Sequence, residues 1–363
     1  MRVLIAPDSF GDTLTAVQAS QAIAAGWLKR SPGDEIEVAP MSDGGPGFVD
    51  VLHASMGGEL VSVAVTDLYG EETPTAFLMV DDTAYVESAQ ACGLQLSTRR
   101  DPERATSYGV GQLVDMAVDR GARRVVVGLG GSGTNDGGAG LLAALGAVAE
   151  PPEALLGGPR ALEQLGAIEL APAQRRTAGV ELVAASDVDN PLLGLRGATN
   201  VYGPQKGVGE DRKHHVDAQL ERLAELVDRR VADRPGAGAA GGLGFALLAL
   251  GATRVGGVGV VADAVGLAAK AAGCDLVVTG EGAFDFSSRS GKVPYGVARI
   301  AAEAVRPCIA LAGQVLVGSR EMRALGIESA YSMVELVGEE ASFAEPVESL
   351  ALLAERVART WSR

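Results

Sequence analysis

Apolar and polar positions near the start of the chain predict two short strands with a helix between them. The first strand is the apolar run Val3–Ala6, and the second is the alternating run Glu35–Ala39. Between them, apolar residues recur at helical spacing over residues 15–30, and Thr15-Ala-Val-Gln18 has the pattern of a capping box at the helix start. This order of elements is typical of a βαβ unit with parallel strands.

An aspartate follows each of these two strands. Asp8 and Ser9 come after the first strand, and Asp43 with Gly44 and Gly45 comes after the second. In open α/β sheets, ligands bind outside the carboxyl ends of the parallel strands. The sequence therefore predicts a ligand site at this edge of the sheet.

The last third of the chain repeats this pattern. The strands Asp275–Thr279 and Ile309–Ala312 are predicted to end before glycine-containing loops, and a helix is predicted from the turn at residues 290–294 to about Val305. A final helix carries Leu350, Leu353 and Val357 on one face.

The middle of the chain has a different pattern. Thr75–Val80 and Thr83–Glu87 read as an antiparallel hairpin, Arg124–Gly128 as a strand, and residues 215–230 as an amphipathic helix. We therefore predict an α/β protein in which both chain ends, residues 1–67 and 270–363, form a Rossmann-like domain with a parallel sheet. Residues 68–269 are predicted to form an inserted mixed α+β domain.

Composition narrows the class of partner. The formal net charge of −15 argues against nucleic acid and anionic membranes, since both select for clusters of Lys and Arg. No apolar run is long enough to span a membrane, and the first residues do not have the pattern of a signal peptide, so we expect a cytoplasmic protein. The three cysteines, Cys92, Cys274 and Cys308, are widely spaced, which predicts buried free thiols.

The segment Val127–Gly140 follows a predicted strand and precedes a short helix, an arrangement that binds phosphate. It contains GxGxxG, but a dinucleotide site also needs an acidic residue about 20 positions on, and the nearest candidate, Glu150, stands before two prolines. The segment also carries more polar side chains than a turn that binds a pyrophosphate uses. A loop that binds phosphate or a small acid is therefore favoured over a Rossmann cofactor loop and over a turn without a ligand.

A second candidate region covers residues 185–207. Asp187 and Asp189 precede Asn190 and a proline, and only one of the two carboxylates can face a substrate directly if the segment is extended. A carboxylate beside a hydroxyl acts as a general base, and one beside phosphates holds Mg²⁺. Lys206, next to Gln205, can neutralise phosphate charge. An Asx turn without a ligand is the alternative for the aspartates.

A third candidate region is the loop predicted over residues 280–285, which contains Glu281, Gly282 and Asp285. The nearby Ser290-Gly291-Lys292 resembles the end of a P-loop. However, Phe286 stands where the P-loop requires its first glycine, so the P-loop is excluded.

In chain order, seven segments resemble those of the type-one glycerate kinases. They are APDSF, SDGG, GLGGSGTNDGGAG, SDVDNPL, GPQKG, GAAGGLG and TGEGAFD…SGKVPYGVA, and the similarity extends from Ala6 to about Ala312. The resemblance implies ATP-dependent, Mg²⁺-dependent phosphorylation of D-glycerate in a cleft between a Rossmann-like domain and an inserted domain. The partners are then a small hydroxy acid and a nucleotide, with monomer and homodimer both left open.

The residues that match the motifs of this family are the candidates for the active site. Asp189 is the candidate base, and Lys206 and Lys292 are candidates to stabilise the transferred phosphoryl group. The candidate Mg²⁺ ligands are Asp43, Asp187, Glu281 and Asp285. The candidates for binding substrate or nucleotide are Asp8, Ser9, Gly44, Gly45, Gly130, Gly131, Ser132, Thr134, Asn135, Asp136, Asn190, Gln205 and Gly282. The ATP phosphates are expected at either residues 128–140 or residues 280–285.

Three positions depart from the family pattern. Gly11 stands where similar sequences usually carry Lys, Pro46 where they carry Glu, and Ala283 where they carry Arg or another polar residue. Each change removes a charged or polar group from a loop of the predicted site. A kinase of another small hydroxy acid and a non-catalytic sensor of glycerate or nucleotide are therefore the alternatives to a glycerate kinase.

Overall fold

The computed structural model describes residues 1–285 and 292–362; Phe286, Ser290 and Gly291 of the excluded P-loop lie outside the described residues. The strands are β1 (Arg2–Ile5), β2 (Glu35–Val38), β3 (Glu59–Thr66), β4 (Glu72–Val80), β5 (Thr83–Glu87), β6 (Arg124–Gly128), β7 (Val148–Glu150), β8 (Ala167–Glu169), β9 (Glu181–Ala185), β10 (Thr253–Val255), β11 (Leu276–Phe284), β12 (Cys308–Val315) and β13 (Ser329–Ser332). The α-helices are α1 (Ala16–Arg30), α2 (Phe48–Met56), α3 (Ala89–Cys92), α4 (Tyr108–Asp119), α5 (Ala139–Ala144), α6 (Ala171–Arg176), α7 (Ala198–Lys206), α8 (Lys213–Val227), α9 (Arg229–Ala232), α10 (Leu243–Ala249), α11 (Gly257–Ala264), α12 (Leu267–Gly273), α13 (Val293–Glu303), α14 (Ser319–Ala324), α15 (Met333–Val337), α16 (Glu339–Ala344) and α17 (Pro346–Trp361).

The chain forms two compact units. The first unit contains Met1–Asp43, Asp50–Gly57 and Val258–Arg363, and the second contains Gly44–Val49 and Gly58–Gly257. The division predicted at residues 67 and 270 stays a prediction about independently folding domains.

The first unit is built on a parallel sheet with the strand order β13-β12-β11-β1-β2. Helices α1 and α17 pack against each other, and their apolar faces join one face of the sheet in a core that includes Ile5, Trp27 and Leu353. Helix α13 contacts β11 and β12. The prediction of an α/β fold with a parallel sheet is confirmed for this unit.

Helix α1 begins as the sequence predicted. Thr15 is the N-cap, its side chain accepts a hydrogen bond from the Gln18 N–H, and the Gln18 side chain accepts one from the Thr15 N–H. The two bonds satisfy backbone donors that a helix start leaves without intrahelical partners. The predicted capping box is therefore confirmed. The apolar face predicted for the last helix is confirmed as well, because Leu350, Leu353 and Val357 are buried in α17.

Strand β11 is longer than predicted. The sequence placed its end at Thr279, but it continues to Phe284, so Glu281 and Gly282 lie on the strand rather than in a loop. It continues because β12 also runs past Ala312, to Val315, and pairs with it along this length. Gly280 permits this pairing, since a Cβ there would lie 2.1 Å from the Leu311 carbonyl oxygen. The predicted strand ends were wrong because pairing partners, which a local pattern does not reveal, decided them.

The second unit is built on a mixed sheet with the order β10-β9-β6-β5-β4-β3. Strands β3, β4 and β5 are antiparallel, while β5, β6, β9 and β10 are parallel. The predicted hairpin is confirmed, and β6 has the predicted bounds. The predicted helix 215–230 is instead α8 followed by α9, because Asp228 is extended and caps the second helix.

Cys92, Cys274 and Cys308 are free and buried, as predicted. Among the described residues, no helix is long and apolar enough to cross a membrane.

Candidate active site

The carboxyl edge of the parallel sheet in the first unit gathers polar side chains from three strands. The Asp8 N–H donates to the Gly280 carbonyl at 2.8 Å, which extends the pairing of β1 and β11 beyond the last residue of β1. Asp8 therefore lies close to Glu281, and Asp43 follows β2 on the other side of β1. Three of the carboxylates predicted from the sequence thus lie together.

A cavity of about 600 Å³ opens at this edge. Its lining combines polar groups with apolar side chains, and all of it belongs to the first unit. The lining residues are Asp8, Ser9, Phe10, Gly11, Asp12, Thr13, Asp43, Glu281, Gly282, Ala283, Lys292, Gly313, Gln314, Met333, Val334, Ser342 and Phe343. A cavity of this size and mixed character can bind a small molecule.

Negative charge dominates among the charged residues that line the cavity. Burial raises the pKa of the Asp8 carboxyl well above its usual value, and the nearby Asp43 and Glu281 raise it further, although the Ser9 N–H and Lys292 oppose the shift. Lys292, the one cation among the described lining residues, has its Nζ 3.5 Å from a Glu281 oxygen. It also lies 3.8 Å from an oxygen of Asp285. One lysine does not neutralise these carboxylates, so the binding of a further cation at the site is favoured.

The same carboxylates suit a divalent cation that is completed by a substrate. No group of three or more Asp, Glu, His or Cys side chains in the described residues is arranged to hold a metal by itself. Mg²⁺ commonly binds through one or two carboxylates together with waters and substrate phosphates. Two of the carboxylates at this edge, Asp43 and Glu281, fit that way of binding, whereas the raised pKa of Asp8 makes it the least suited of the three.

Part of the cavity lining is apolar. Met333 and Val334 begin α15, and Phe343 lies on α16 with 59% of its surface exposed. An aromatic side chain left exposed beside a cavity can stack on a planar ligand. These residues were not predicted from the sequence, since short helices with one aromatic residue carry no distinctive pattern.

Two of the three departures from the family pattern line this cavity. Gly11 and Ala283 are both exposed there, and a Cβ built on Gly11 would have no atom of the described residues within 4 Å. Pro46 belongs to the second unit, where a Cβ on Gly131 would lie 2.8 Å from its ring. Neither Gly11 nor Ala283 supplies a charge, so Lys292 carries the positive charge of the described lining.

In the second unit, the glycines of segment 127–140 allow close packing of backbone against backbone. A Cβ on Gly130 would lie 2.3 Å from the Gly45 Cα, and one on Gly140 would lie 2.4 Å from the Tyr108 nitrogen. The Gly130 N–H donates to the Gly44 carbonyl at 3.0 Å. The glycine richness of the segment is therefore explained by packing within the unit, without a phosphate.

Most polar side chains of segment 127–140 are turned inward. Asp136 is fully buried and accepts hydrogen bonds from the Ser107 N–H and hydroxyl and from the N–H groups of Gly138 and Gly140. Burial raises the pKa of its carboxyl, and these bonds offset part of the effect. Asn135 is also fully buried and donates to the Thr199 hydroxyl at 2.9 Å. These two side chains hold the segment together.

Lys206 is buried at the end of α7. Its side chain is 3% exposed, and its Nζ donates to the Ser132 hydroxyl oxygen at 3.0 Å and to the Thr134 carbonyl at 2.7 Å. Burial lowers the pKa of the Lys206 ammonium to about 8. Its neighbour Gln205 is exposed, and Gly207 ends the helix in the left-handed conformation.

The segment after β9 is held by Arg254, which the sequence analysis did not single out. The Arg254 guanidinium donates to the Ser186 carbonyl at 3.2 Å and forms an ion pair with Asp189 at 2.6 Å. The Asp189 side chain is 73% exposed, whereas Asp187, the second residue after β9, is half-buried. Asn190 accepts from the Tyr202 hydroxyl at 3.0 Å. The two aspartates therefore have different surroundings.

The predicted site residues fall into two groups. The first unit contains Asp8, Ser9, Asp43, Glu281, Gly282, Asp285 and Lys292, and the second contains Gly44, Gly45, Gly130, Gly131, Ser132, Thr134, Asn135, Asp136, Asp187, Asp189, Asn190, Gln205 and Lys206. All of the first group except Asp285 line the cavity, and Lys292 approaches Asp285.

Comparison with known proteins places the chain in a family. The model of the glycerate kinase family matches residues 3–362. The chain belongs to the glycerate kinase family. The resemblance of its sequence motifs to that family is therefore confirmed.

Glycerate kinase family members from several bacteria are similar to the chain over most of its length. A glycerate kinase from Bacillus subtilis (strain 168) is 39% identical over 345 residues, covering 92% of this chain and 90% of that protein. A glycerate 2-kinase from Escherichia coli (strain K12) is 38% identical over 350 residues, covering 93% and 92%. A crystal structure of a chain provisionally assigned as glycerate kinase 2, from Salmonella typhimurium LT2, has a TM-score of 0.82 and 36% identity over 99% and 98% of the two chains.

Proposed function

We propose that the chain is a kinase that transfers the γ-phosphoryl group of ATP to D-glycerate. The observation that carries the proposal is the cavity of the first unit, which joins an apolar wall to carboxylates and a lysine at the carboxyl ends of parallel strands. A nucleotide needs both kinds of surface, and this sheet edge is where α/β proteins bind ligands. Membership of the glycerate kinase family indicates glycerate as the acceptor of the phosphoryl group.

The nucleotide is proposed to lie within this cavity. Its base would stack against Phe343 and Met333, and its phosphates would approach Lys292 and the carboxylates at the other end. Segment 127–140 is less suited to the phosphates, because Asn135 and Asp136 already bond within the protein. Of the two phosphate sites predicted from the sequence, the geometry thus favours residues 280–285.

Mg²⁺ is proposed to be held by Asp43 and Glu281 together with the phosphates. When bound, it would neutralise phosphate charge as it does in other kinases. Lys292 would hold an oxygen of the transferred group, and its ion pairs with Glu281 and Asp285 fix its position. Asp8 would lie near Lys292, and Mg²⁺ and Lys292 together would offset the negative charge of the carboxylates.

The acceptor is proposed to be held by polar groups of the second unit. In the transfer, a glycerate hydroxyl oxygen forms a bond to the γ-phosphorus, the bond from that phosphorus to ADP breaks, and the hydroxyl proton passes to a carboxylate. The sequence analysis assigned this proton to Asp189. The exposure of Asp189 and its ion pair with Arg254 favour the half-buried Asp187 for the base and Asp189 for anchoring the segment.

The 2-hydroxyl is the proposed site of phosphorylation. The Escherichia coli relative is named a glycerate 2-kinase and is similar to this chain over nearly its whole length. The product would then be 2-phosphoglycerate.

A substrate panel tests the proposed function. ADP release would be measured with the purified chain, ATP and Mg²⁺ in the presence of D-glycerate, L-glycerate, glycolate or D-lactate. We expect kcat/KM to be highest for D-glycerate. A higher kcat/KM for another acid would support a different hydroxy-acid kinase, and calorimetric binding of glycerate or ATP without ADP release would support a sensor.

A further inference from the structure

The charge of Lys206 is buried, and no carboxylate of the described residues contacts it. Lys206 ends α7 with 3% of its surface exposed, and its ammonium donates to the Ser132 Oγ and the Thr134 carbonyl. No ion pair among the described residues includes Lys206. A buried charge without a partner charge is costly, and such groups are frequent at functional sites.

Two titratable side chains influence Lys206, and neither forms an ion pair with it. Burial raises the pKa of the Cys92 thiol to about 12, so this group is neutral near pH 7. Asp136 raises the pKa of Lys206, but its own oxygens are engaged by four donors from Ser107, Gly138 and Gly140. Burial has the larger effect and lowers the pKa of Lys206 to about 8, which leaves it charged at neutral pH.

The hydrogen bond from Lys206 determines that the Ser132 hydroxyl acts as a donor toward a further partner. Because the Ser132 Oγ accepts from the ammonium, its own proton remains available for another acceptor. No described protein atom accepts that proton, and Ser132 is 7% exposed. A hydroxyl that accepts from a cation is polarised and becomes a stronger donor.

Ser132 lies at the edge of the sheet where a ligand is expected. Ser132 follows β6. Its backbone pairs with that of Gly93, the residue after α3, in an isolated antiparallel β-bridge. Directly after the neighbouring β5, the buried Ser88 Oγ has no hydrogen-bond partner among the described residues, so its proton is unused as well. Two serine hydroxyls with unused donors thus follow adjacent parallel strands at their carboxyl ends.

We infer that Ser132 donates its proton to an anionic oxygen of the substrates and that Lys206 is a positioning residue that acts through Ser132. The anionic oxygen belongs either to the carboxylate of the hydroxy acid or to the transferred phosphoryl group, since both are the same kind of acceptor for a hydroxyl. The inference rests on the proposed function for its substrates. It changes the role predicted for Lys206 from direct contact with the phosphoryl group to contact through Ser132.

Kinetics of Ser132→Ala, Lys206→Met and the double variant test the inference. If Ser132 holds the carboxylate, Ser132→Ala raises the KM for D-glycerate about 10- to 100-fold and leaves the KM for ATP unchanged. If it holds the transferred phosphoryl group, kcat falls by that factor and both KM values are retained. In either case Lys206→Met changes the same parameter, and the double variant is no worse than the poorer single variant, because Lys206 acts through Ser132.

The pH profile separates this role from a purely structural one. In the wild type, the affected parameter should worsen above about pH 8 as Lys206 loses its proton, and this change should be absent in Ser132→Ala. Ser132→Thr, which keeps a hydroxyl, should retain most of the activity and the pH dependence. A Ser132→Ala variant with wild-type kinetics, or effects that multiply in the double variant, would overturn the inference.

Two further measurements keep the test independent of folding and of turnover. Thermal unfolding identifies a variant that has lost its structure, and Lys29→Met, which removes a lysine that is 71% exposed, controls for the loss of a positive charge. Calorimetry of D-glycerate and of ATP with Mg²⁺ reads binding directly. If the wild type binds a ligand without turnover, the proposed function fails, and weaker binding of that ligand by Ser132→Ala still supports the inference. If the wild type binds neither ligand, both proposals fail.

Discussion

At the scale of single residues, the second unit contains two buried charged groups whose surroundings differ. Asp136 is surrounded by donors that satisfy both of its oxygens, so it stabilises the segment around it. Lys206 donates two hydrogen bonds, but no carboxylate among the described residues contacts it. Residue type and spacing in the sequence made both residues site candidates. Only their surroundings distinguish Asp136, whose charge is satisfied by donors, from Lys206, whose buried charge destabilises the fold.

The burial of Lys206 predicts how stability depends on pH. Its pKa is about 8 in the folded protein and 10.5 in its ordinary state, so between these values the unfolded chain binds more protons and stability rises with pH. Below pH 8 the full penalty, on the order of 3 kcal/mol, is present. Lys206→Met removes this penalty. The free energy of unfolding of the variant minus that of the wild type should therefore be larger at pH 7 than at pH 10.5, by about that amount.

Chemical denaturation at the two pH values measures this difference. Both proteins share all other titrating groups, so their effects cancel in the comparison. A difference between variant and wild type that is the same at both pH values would show that Lys206 carries no such penalty.

The two aspartates after β9 give a second prediction at this scale. Asp187→Asn should lower kcat by at least about 10²-fold if Asp187 takes the hydroxyl proton. Asp189→Asn should lower it by less than about tenfold, because it weakens an exposed ion pair with Arg254. Steady-state kinetics with D-glycerate measures both effects. Asp233→Asn, which breaks another exposed ion pair, is the matched control. The reverse order of effects would return the base to Asp189.

At the scale of elements, features that depend on neighbouring residues were predicted better than those that depend on a distant partner. The capping box at Thr15 lies within four residues of sequence and was predictable for that reason. The end of β11 depends on its partner β12, more than 20 residues away, and was predicted too early. The apolar wall of the cavity depends on two short helices, α15 and α16, which have too few residues to show an apolar period.

Helix α16 matters because of the side chain that it presents to the cavity. If Phe343 stacks on the nucleotide base, Phe343→Ala should raise the KM for ATP about 5- to 150-fold, since stacking of a base on an aromatic ring contributes about 1–3 kcal/mol. The KM for D-glycerate should not change. Phe343→Trp should retain tight ATP binding.

Leu316→Ala provides the control for this change. Leu316 is 64% exposed and is not among the described residues that line the cavity, so its removal should leave both KM values unchanged. An unchanged KM for ATP in Phe343→Ala would place the base elsewhere.

At the scale of the whole molecule, the sequence predicted the class of fold and the family. The parallel sheet followed from strands that each end at a glycine or an aspartate, and the family followed from seven motifs in order. The roles of individual groups did not follow, because Asp189 and Lys206 have the expected residue types in unexpected surroundings. Segment 127–140 shows the same difference, since it carries the most distinctive motif but packs largely against its own unit.

Phosphorus NMR of a complete reaction tests the central claim most directly. The wild-type chain would be incubated with ATP, Mg²⁺ and D-glycerate, and the spectrum would be compared with one recorded without D-glycerate. We predict that the γ-phosphate signal of ATP is replaced by ADP and one phosphomonoester signal that matches 2-phosphoglycerate, and only when D-glycerate is present. ATP that stays intact, or that yields inorganic phosphate alone, would contradict the account.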